Sequence, residues 1–574
     1  MKTTLAALVF LAMLILLVAP GQTFAQAPDT VKVYANPPGS GGLTIEKFIS
    51  GDTTATGTRK NPNRVYFLQQ TGSLDTEYYY YDPIFAKSNI NILGKVNPVT
   101  GHPPVIQPMI RADNSAPSNF ISSSGKNVTF TLRNLYFLGT RYDSVQATGD
   151  LLVLKGDTTT VIIDHCVIDQ ANGNLANFNG NWNKYYLTNT EYRNGSNQFW
   201  QSGNGMWATN GVPMDTVVIH NNTFFCMGRA IYGGPAYYRY LIFDHNTCFL
   251  GTGGLLLSPF QSNAVISNNI FYGVIAHGCD SSYIKTAGAN AAKEGFGVVM
   301  MDSLAAVGTK YGITEAQRKV VVTNNVYYWP QAFYTYWKSF NDTSKTIRIV
   351  PPYWMNQATV NKFNDKVHWP GISAAHNDST DPGFPASIAG PAVDSLVKFV
   401  KLIGYPAGNA GSYRWWQLRT DPYPTGVFRQ FPTTWNSWSK GYPVPENMRY
   451  TNTALQTAGS DGKALGDLNW FPEQLATEVE GTSGTLPATY ELSNNYPNPF
   501  NPSTQINYSV PRSGFITLKV YNLLGQDVAT LFSGMQKPGN YIAIFDASRL
   551  TSGVYFYRLE AGGVTITKKL MMLK

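Results

Sequence analysis

The sequence predicts an all-β protein, a parallel β-helix (solenoid) followed by a small Ig-like β-sandwich. Three observations carry this. A short motif recurs through the middle of the chain at a spacing of 23–24 residues, a period that signals a repeat architecture. The repeats hold β-branched and aromatic residues in period-2 alternation with abundant Gly, and no amphipathic helix recurs among them. The C-terminal region reads as short alternating strands divided by turns about every ten residues. Composition agrees. Of 574 residues, 43% are hydrophobic and only 14% charged, which excludes a coiled coil or a charged disordered body. The net charge of +8 comes with no Lys/Arg run, so nucleic acid is not the implied partner.

The elements follow in chain order. Lys2 precedes an apolar run over residues 5–19. Pro20 and Gly21 break the run, and Thr23-Phe24-Ala25 supplies small residues at the −3 and −1 positions. This predicts a signal peptide over 1–25, cut between Ala25 and Gln26. The run is shorter than the ~20 residues needed to span a bilayer, and no later segment is apolar enough, so no transmembrane segment is expected in the mature chain. Cys166, Cys226, Cys248 and Cys279 form no CxxC and read as small buried hydrophobes rather than a disulfide scaffold.

The body is expected over 26–385. Its motif is two or three apolar residues, a polar residue, then a paired polar step ending mostly in Asn. The copies are Val161-Ile-Ile-Asp-His-Cys166, Val217-Val-Ile-His-Asn-Asn222, Leu241-Ile-Phe-Asp-His-Asn246, Ala264-Val-Ile-Ser-Asn-Asn269 and Val320-Val-Val-Thr-Asn-Asn325. Weaker copies end at Asn134 and Thr190. A coil of this length holds three short strands and three turns. Stacked one per coil, the Asn amides can bond one another, which satisfies polar groups inside a turn. Asn222, Asn246, Asn269 and Asn325 are therefore structural. Thr44 ahead of Ile45, Phe48 and Ile49 predicts a short helix capping the first coil. Residues 280–318 interrupt the repeat as an excursion. Residues 386–474 read as a C-terminal cap, with a helix carrying Leu396, Val397, Val400 and Ile403 and a Trp-, Tyr- and Pro-rich stretch packing across the coils.

These coils resemble the pectate-lyase-like superfamily of right-handed parallel β-helices, and Val161-Ile-Ile-Asp-His-Cys166 is similar to the Trp-Ile-Asp-His stretch of pectate lyases. The resemblance implies a carbohydrate-active solenoid, and it alone admits Ca2+ as a cofactor. The R-x-P-x-x-R motif that carries the catalytic arginine of pectate lyases is absent, as is the aspartate run of polygalacturonases.

Residues 475–490, rich in Thr, Gly and Ser, read as a linker. The tail, 491–574, opens with turns and continues with strands expected over 505–510, 515–521, 541–546, 554–560 and 564–571. Tyr496-Pro-Asn-Pro-Phe-Asn-Pro502, Val520-Tyr-Asn-Leu-Leu-Gly-Gln-Asp-Val528, Ser552-Gly-Val-Tyr-Phe-Tyr-Arg558 and the closing Lys568-Lys-Leu570 occur in order. Together they resemble the type A C-terminal sorting domain of the bacterial type IX secretion system. This implies the secretion machinery as a partner, removal of the tail, and a secreted or outer-membrane cell-surface location.

Projection onto coils gives two candidate columns. With Met206, Ile231, Leu255 and Val274 inward, alternation turns Trp207 and Tyr232 outward on neighbouring rungs about 4.8 Å apart. They make a platform for a sugar face, with Arg229 on the same strand and Arg239, Lys184 and Arg193 in adjoining turns. The second column reads Asp164, Thr188, His220, Asp244, Ser267 and Thr323. There Asp244 can orient His220 as a base for β-elimination beside a uronate. Asp164 and Asp244, three coils and about 14 Å apart, are too far apart to serve as a glycosidase pair. No metal-ligand spacing, Walker A or GxSxG motif is present. Two functions follow: a secreted polysaccharide lyase-like β-helix acting on or binding polysaccharide, acidic ones included, or a non-catalytic surface adhesin or glycan-binding scaffold.

Overall fold

A computed structural model describes residues 29–403, 447–475 and 489–573, apart from 36–41, 57, 71–75, 140–148, 170, 172, 194–204, 229–230, 235, 252–255, 258–259, 277, 281–294, 345–347, 496–497, 499, 501–502, 512–513, 524, 537–538, 548–549 and 562–563. The expected signal peptide and much of the Trp-, Tyr- and Pro-rich stretch lie outside the described residues. Two units emerge, the second beginning at Pro472.

Within the first unit, the described residues form three parallel sheets of seven, eleven and nine strands. Each coil visits them in that order: Leu152–Leu154, Thr160–Asp164 and Val167–Asp169 make one coil, and Ala176–Phe178, Asn183–Thr188 and Glu191–Arg193 the next. The interior is apolar because alternate residues point inward. Val161, Ile163, Tyr185, Leu187, Val217, Ile219, Leu241 and Phe243 are all at most 1% exposed. Where the chain leaves the seven-stranded sheet, coils approach so closely that a Cβ on Gly156 would sit 1.7 Å from the Gly125 carbonyl oxygen. Only glycine fits there.

The corner between the eleven- and nine-stranded sheets explains the paired polar step. Its first residue is left-handed in eight coils: Asn134, His165, Asn189, Asn221, His245, Asn268, Asn324 and His376 have φ between 49° and 58°. Asn tolerates this region better than most residues, which accounts for its frequency here. The second residue points inward and builds a ladder. Asn222 Nδ2 donates to Asn246 Oδ1 (2.9 Å), Asn246 to Asn269 (3.1 Å), Asn269 to Asn325 (2.8 Å) and Asn325 to Asn377 (2.8 Å). The same amides donate to carbonyls of the coil below, at Leu187, Ile219, Phe243 and Ile266. Two details correct the sequence reading. Asn134 occupies the left-handed place rather than the ladder place, which falls to Leu135. The ladder also continues at Asn377, which the repeat search missed because helices Gln331–Thr343 and Gln357–Asn364 separate it from Asn325.

The ends are capped. Helix Ile45–Ser50 buries Ile45 and Ile49 at the N-terminal side, and helix Ala386–Ile403 buries Leu396 and Val400 at the other. In the excursion, helix Ala305–Tyr311 and the turn Glu315–Gln317 lead to the buried Arg318, which bonds Glu315 and the carbonyls of Gln261 and Asp302. Residues 447–471 run as a strap along the polar corner.

The second unit pairs antiparallel sheets of three and four strands around Ile506, Leu518, Val520, Tyr557 and Leu570. Strand Asp527–Gln536 was not foreseen, since Ser533 and Gly534 dilute its alternation and register shifts interrupt its pairing with Gly514–Tyr521.

Asn246→Ala should destabilise the body by about 2 kcal/mol or more, because it removes the acceptor of the Asn222 N–H and Nδ2 and the donor to Ile219 O and Asn269 Oδ1 at once. Urea unfolding of the secreted body checks this, and an unchanged midpoint would show that the ladder contributes nothing.

Candidate functional site

The column from Asp164 to Thr323 exists as read. Asp164 pairs with Thr188, Thr188 with His220, His220 with Asp244, Asp244 with Ser267 and Ser267 with Thr323. His220 Nδ1 lies 3.1 Å from Asp244 Oδ2. The carboxylate is 2% exposed and the imidazole side chain 31%, so the acid is inside and the ring reachable. Asp244 Oδ1 accepts from Ser267 Oγ (2.6 Å) and Asn268 Nδ2 (2.9 Å). Burial pushes the Asp244 carboxyl up, but the charge of His245 and the bonds from His220 and Ser267 outweigh it and hold it at about 2. An ionised Asp244 makes Nδ1 the protonated nitrogen of neutral His220 and leaves Nε2 as the acceptor. Nε2 has no hydrogen-bond partner among the described residues.

His245, next in the corner, is built differently. Its Nδ1 faces the Gly466 carbonyl and its Nε2 faces Asp461 Oδ2, each at 3.2 Å. Both nitrogens meet acceptors, an arrangement that favours the doubly protonated, cationic ring. Burial opposes that charge, but Asp244 and Asp461 raise its pKa above the ordinary value. The strap thus closes over His245 and leaves His220 at its edge. It continues across the coils: Asn268 bonds Ser460, Thr223 Oγ1 donates to Asp467 Oδ2 (2.6 Å), Leu468 N donates to Asn221 Oδ1, and Trp470 Nε1 donates to Thr223 Oγ1 (2.7 Å).

The aromatic platform is not built as expected. Met206 pairs with Tyr232, and Trp207 with Gly233. Tyr232 is therefore inward and 0% exposed. A one-residue error in the turn lengths flipped its side. Trp207, half-buried, stands in its column between Asn177 and Gly233 rather than beside Tyr232. Arg229 lies outside the described residues. Arg239 and Lys184 sit on strands of the eleven-stranded sheet, both against Asp215 (3.3 and 3.6 Å), rather than in turns beside Trp207. Arg193 is on the nine-stranded sheet, paired with Asp169 at 2.9 Å.

Sequence reasoning missed an acidic group on that last sheet. Glu191 is one rung from Thr223 and on the face of Arg193. Burial lifts its carboxyl to about 7, with Arg193 opposing and Asp467 and Asp169 adding. Asp467, buried and only 1% exposed, is likewise lifted to about 7. Alternation in Glu191-Tyr-Arg193 was the one available signal. The strap that brings Asp467 to this face has no periodicity to reveal it. Among the described residues no three His, Cys, Asp or Glu side chains converge to hold a metal.

The sign of the pH dependence follows. Asp467 ordinarily titrates near 4 and titrates near 7 when folded, so its protonated form stabilises the fold at low pH. That contribution declines as pH rises from about 4 through about 7. His245, raised above its ordinary value, acts in the same direction. Asp467→Asn should therefore gain stability relative to wild type between about pH 5 and about pH 8. Melting curves that stay parallel over this range would rule out a buried, neutral Asp467.

No curated protein and no solved structure matches the chain. Residues 494–573 match the model of the family described as a secretion system C-terminal sorting domain. A domain of this kind marks a protein that is secreted through the type IX system and then attached to the cell surface or released. After its parallel β-helix the chain thus carries a C-terminal segment that matches a type IX sorting domain, which marks it for the cell surface or for release.

Proposed function

We propose that the exported β-helix engages polysaccharide and cleaves it by β-elimination, with His220 as the base. The observation that supports this reading most is the oriented pair: a partly exposed imidazole held through Nδ1 by a buried, ionised Asp244, with Nε2 lacking a hydrogen-bond partner among the described residues. In such a reaction Nε2 takes the proton from the carbon beside a uronate carboxyl. The electron pair left behind forms a carbon–carbon double bond, the glycosidic carbon–oxygen bond at the next carbon breaks, and the departing oxygen takes up a proton. The buried carboxylate stabilises the imidazolium formed on the way.

A second reading, a non-catalytic glycan-binding scaffold or adhesin, has one observation in its favour. β-Elimination needs a cation on the uronate carboxylate, and Arg133, in the same column as His220, is engaged with Asp164 at 3.5 Å.

Incubating the secreted body with a panel of acidic polysaccharides and reading ultraviolet absorbance of unsaturated ends separates the two. The lyase reading expects a signal that His220→Gln lowers at least about a hundredfold, the usual scale of a general base. Binding without any unsaturated product supports the scaffold instead. For export, deleting residues 490–574 should leave a folded body in the periplasm. Normal surface display of that truncation would contradict the role of the tail.

A further inference from the structure

The eleven-stranded sheet presents a second outward column at the beginning of its strands: Lys184, Thr216, Tyr240, Asn263 and Lys319, in unbroken register. Four rungs at about 4.8 Å put Lys184 and Lys319 about 19 Å apart along the solenoid axis. Arg239 lies beside Tyr240, its guanidinium carbon 5.5 Å from the ring centroid. Next to this column an aromatic group rises from the neighbouring turn and the excursion. Tyr237 stacks on Tyr311 at 4.6 Å and 16°. The Trp182 ring stands edge-on to both, at 6.2 and 5.4 Å. Lys310 Nζ lies 5.1 Å from the Tyr311 centroid.

Trp182 has φ 59°, a left-handed backbone that is unusual for a bulky residue. Its N–H donates to the Pro213 carbonyl at 2.7 Å, which fixes the turn. The half-buried ring is thereby held at the surface. The charge of this face is one-sided. Lys184, Arg239, Lys310 and Lys319 are exposed, and Asp215 is the acid that meets the first two. Lys310 and Lys319 have no ion pair among the described residues.

We propose that this face, formed by Trp182, Tyr240 and Tyr311 with Lys184, Arg239, Lys310 and Lys319, binds a stretch of acidic polysaccharide laid along the solenoid axis. The inference rests on the reading that the body engages polysaccharide, but it concerns binding and not cleavage. Spaced cations neutralise carboxylates or sulfates along a chain, and indole and phenol faces take the apolar faces of the sugars between them. The surface lies at the opposite end of the strands from His220: Tyr240 and Asp244 share one strand and one face, four residues apart.

The test uses the secreted body in affinity electrophoresis with polygalacturonate, alginate and chondroitin sulfate, with a neutral glucan and double-stranded DNA as controls. At least one acidic glycan should retard the protein, less so as salt rises. Combining Lys184→Gln, Arg239→Gln, Lys310→Gln and Lys319→Gln should weaken that retardation on the order of tenfold while the melting temperature stays put. Retardation by none of the three glycans overturns the proposal, as does equal retardation of the fourfold variant or equal affinity for DNA. Cleavage is read separately. Loss of retardation in the fourfold variant with no unsaturated ends from wild type refutes the lyase reading and leaves this surface standing. Unsaturated ends with unchanged retardation of the variant refute the surface alone.

Discussion

The side-chain amides that run from Asn222 to Asn377 tie each coil to the next through one corner. Each amide spends one N–H on the coil below and one on the amide above, so a slip of a single residue would orphan several buried groups together. Sheet hydrogen bonds alone specify register weakly, since any parallel alignment can form them. The ladder supplies the missing selectivity. Once it is set, the outward columns are set too, and with them the rung that places His220 against Asp244.

The same corner concentrates charge. Left-handed positions accept Asn or His more readily than bulky apolar residues, so the turn that needs such a backbone also brings His165, His245 and His376 to one edge. The strap of residues 447–471 meets that edge with Asp461, Gly466 and Asp467, while its Leu465, Leu468 and Phe471 join the hydrophobic core of the coils. Burying these groups demands complementary partners. For His245 the charges of Asp244 and Asp461 oppose the burial and raise its pKa, whereas for Asp467 burial outweighs its hydroxyl and amide donors and the charge of His245, so it retains its proton to near neutrality. His220, one rung away and outside the strap, keeps a nitrogen available.

The solenoid and the sorting domain were legible in the sequence because each is written by repetition or by an ordered set of motifs. The pairing of His220 with Asp244 was legible for the same reason: both occupy one position of the repeat. Tyr232 was misplaced because the stretch between Phe225 and Tyr232 has no motif of its own, and at its start Cys226 adopts a left-handed backbone that no glycine announces. The aromatic group of Trp182, Tyr237 and Tyr311 was beyond reach, since residues 182 and 311 meet only when the excursion folds back onto the coils. Glu191 and Asp467 were invisible as a pair because they are distant in sequence and meet through the strap.

The strap has a consequence for how the chain folds. The ladder bonds from Asn222 to Asn269 join residues 24 and 23 positions apart and those on to Asn377 join residues 56 and 52 apart, while the bond from Thr223 to Asp467 spans 244. Short loops close at low entropic cost and long ones at higher cost, so coils can zip successively while the strap waits for the whole solenoid. The strap is also the last piece of the body to be synthesised. A chain made N-terminus first can therefore complete its coils before it can fasten them, so the last roughly 25 residues of the body, just ahead of the sorting domain in sequence, decide when the fold is locked.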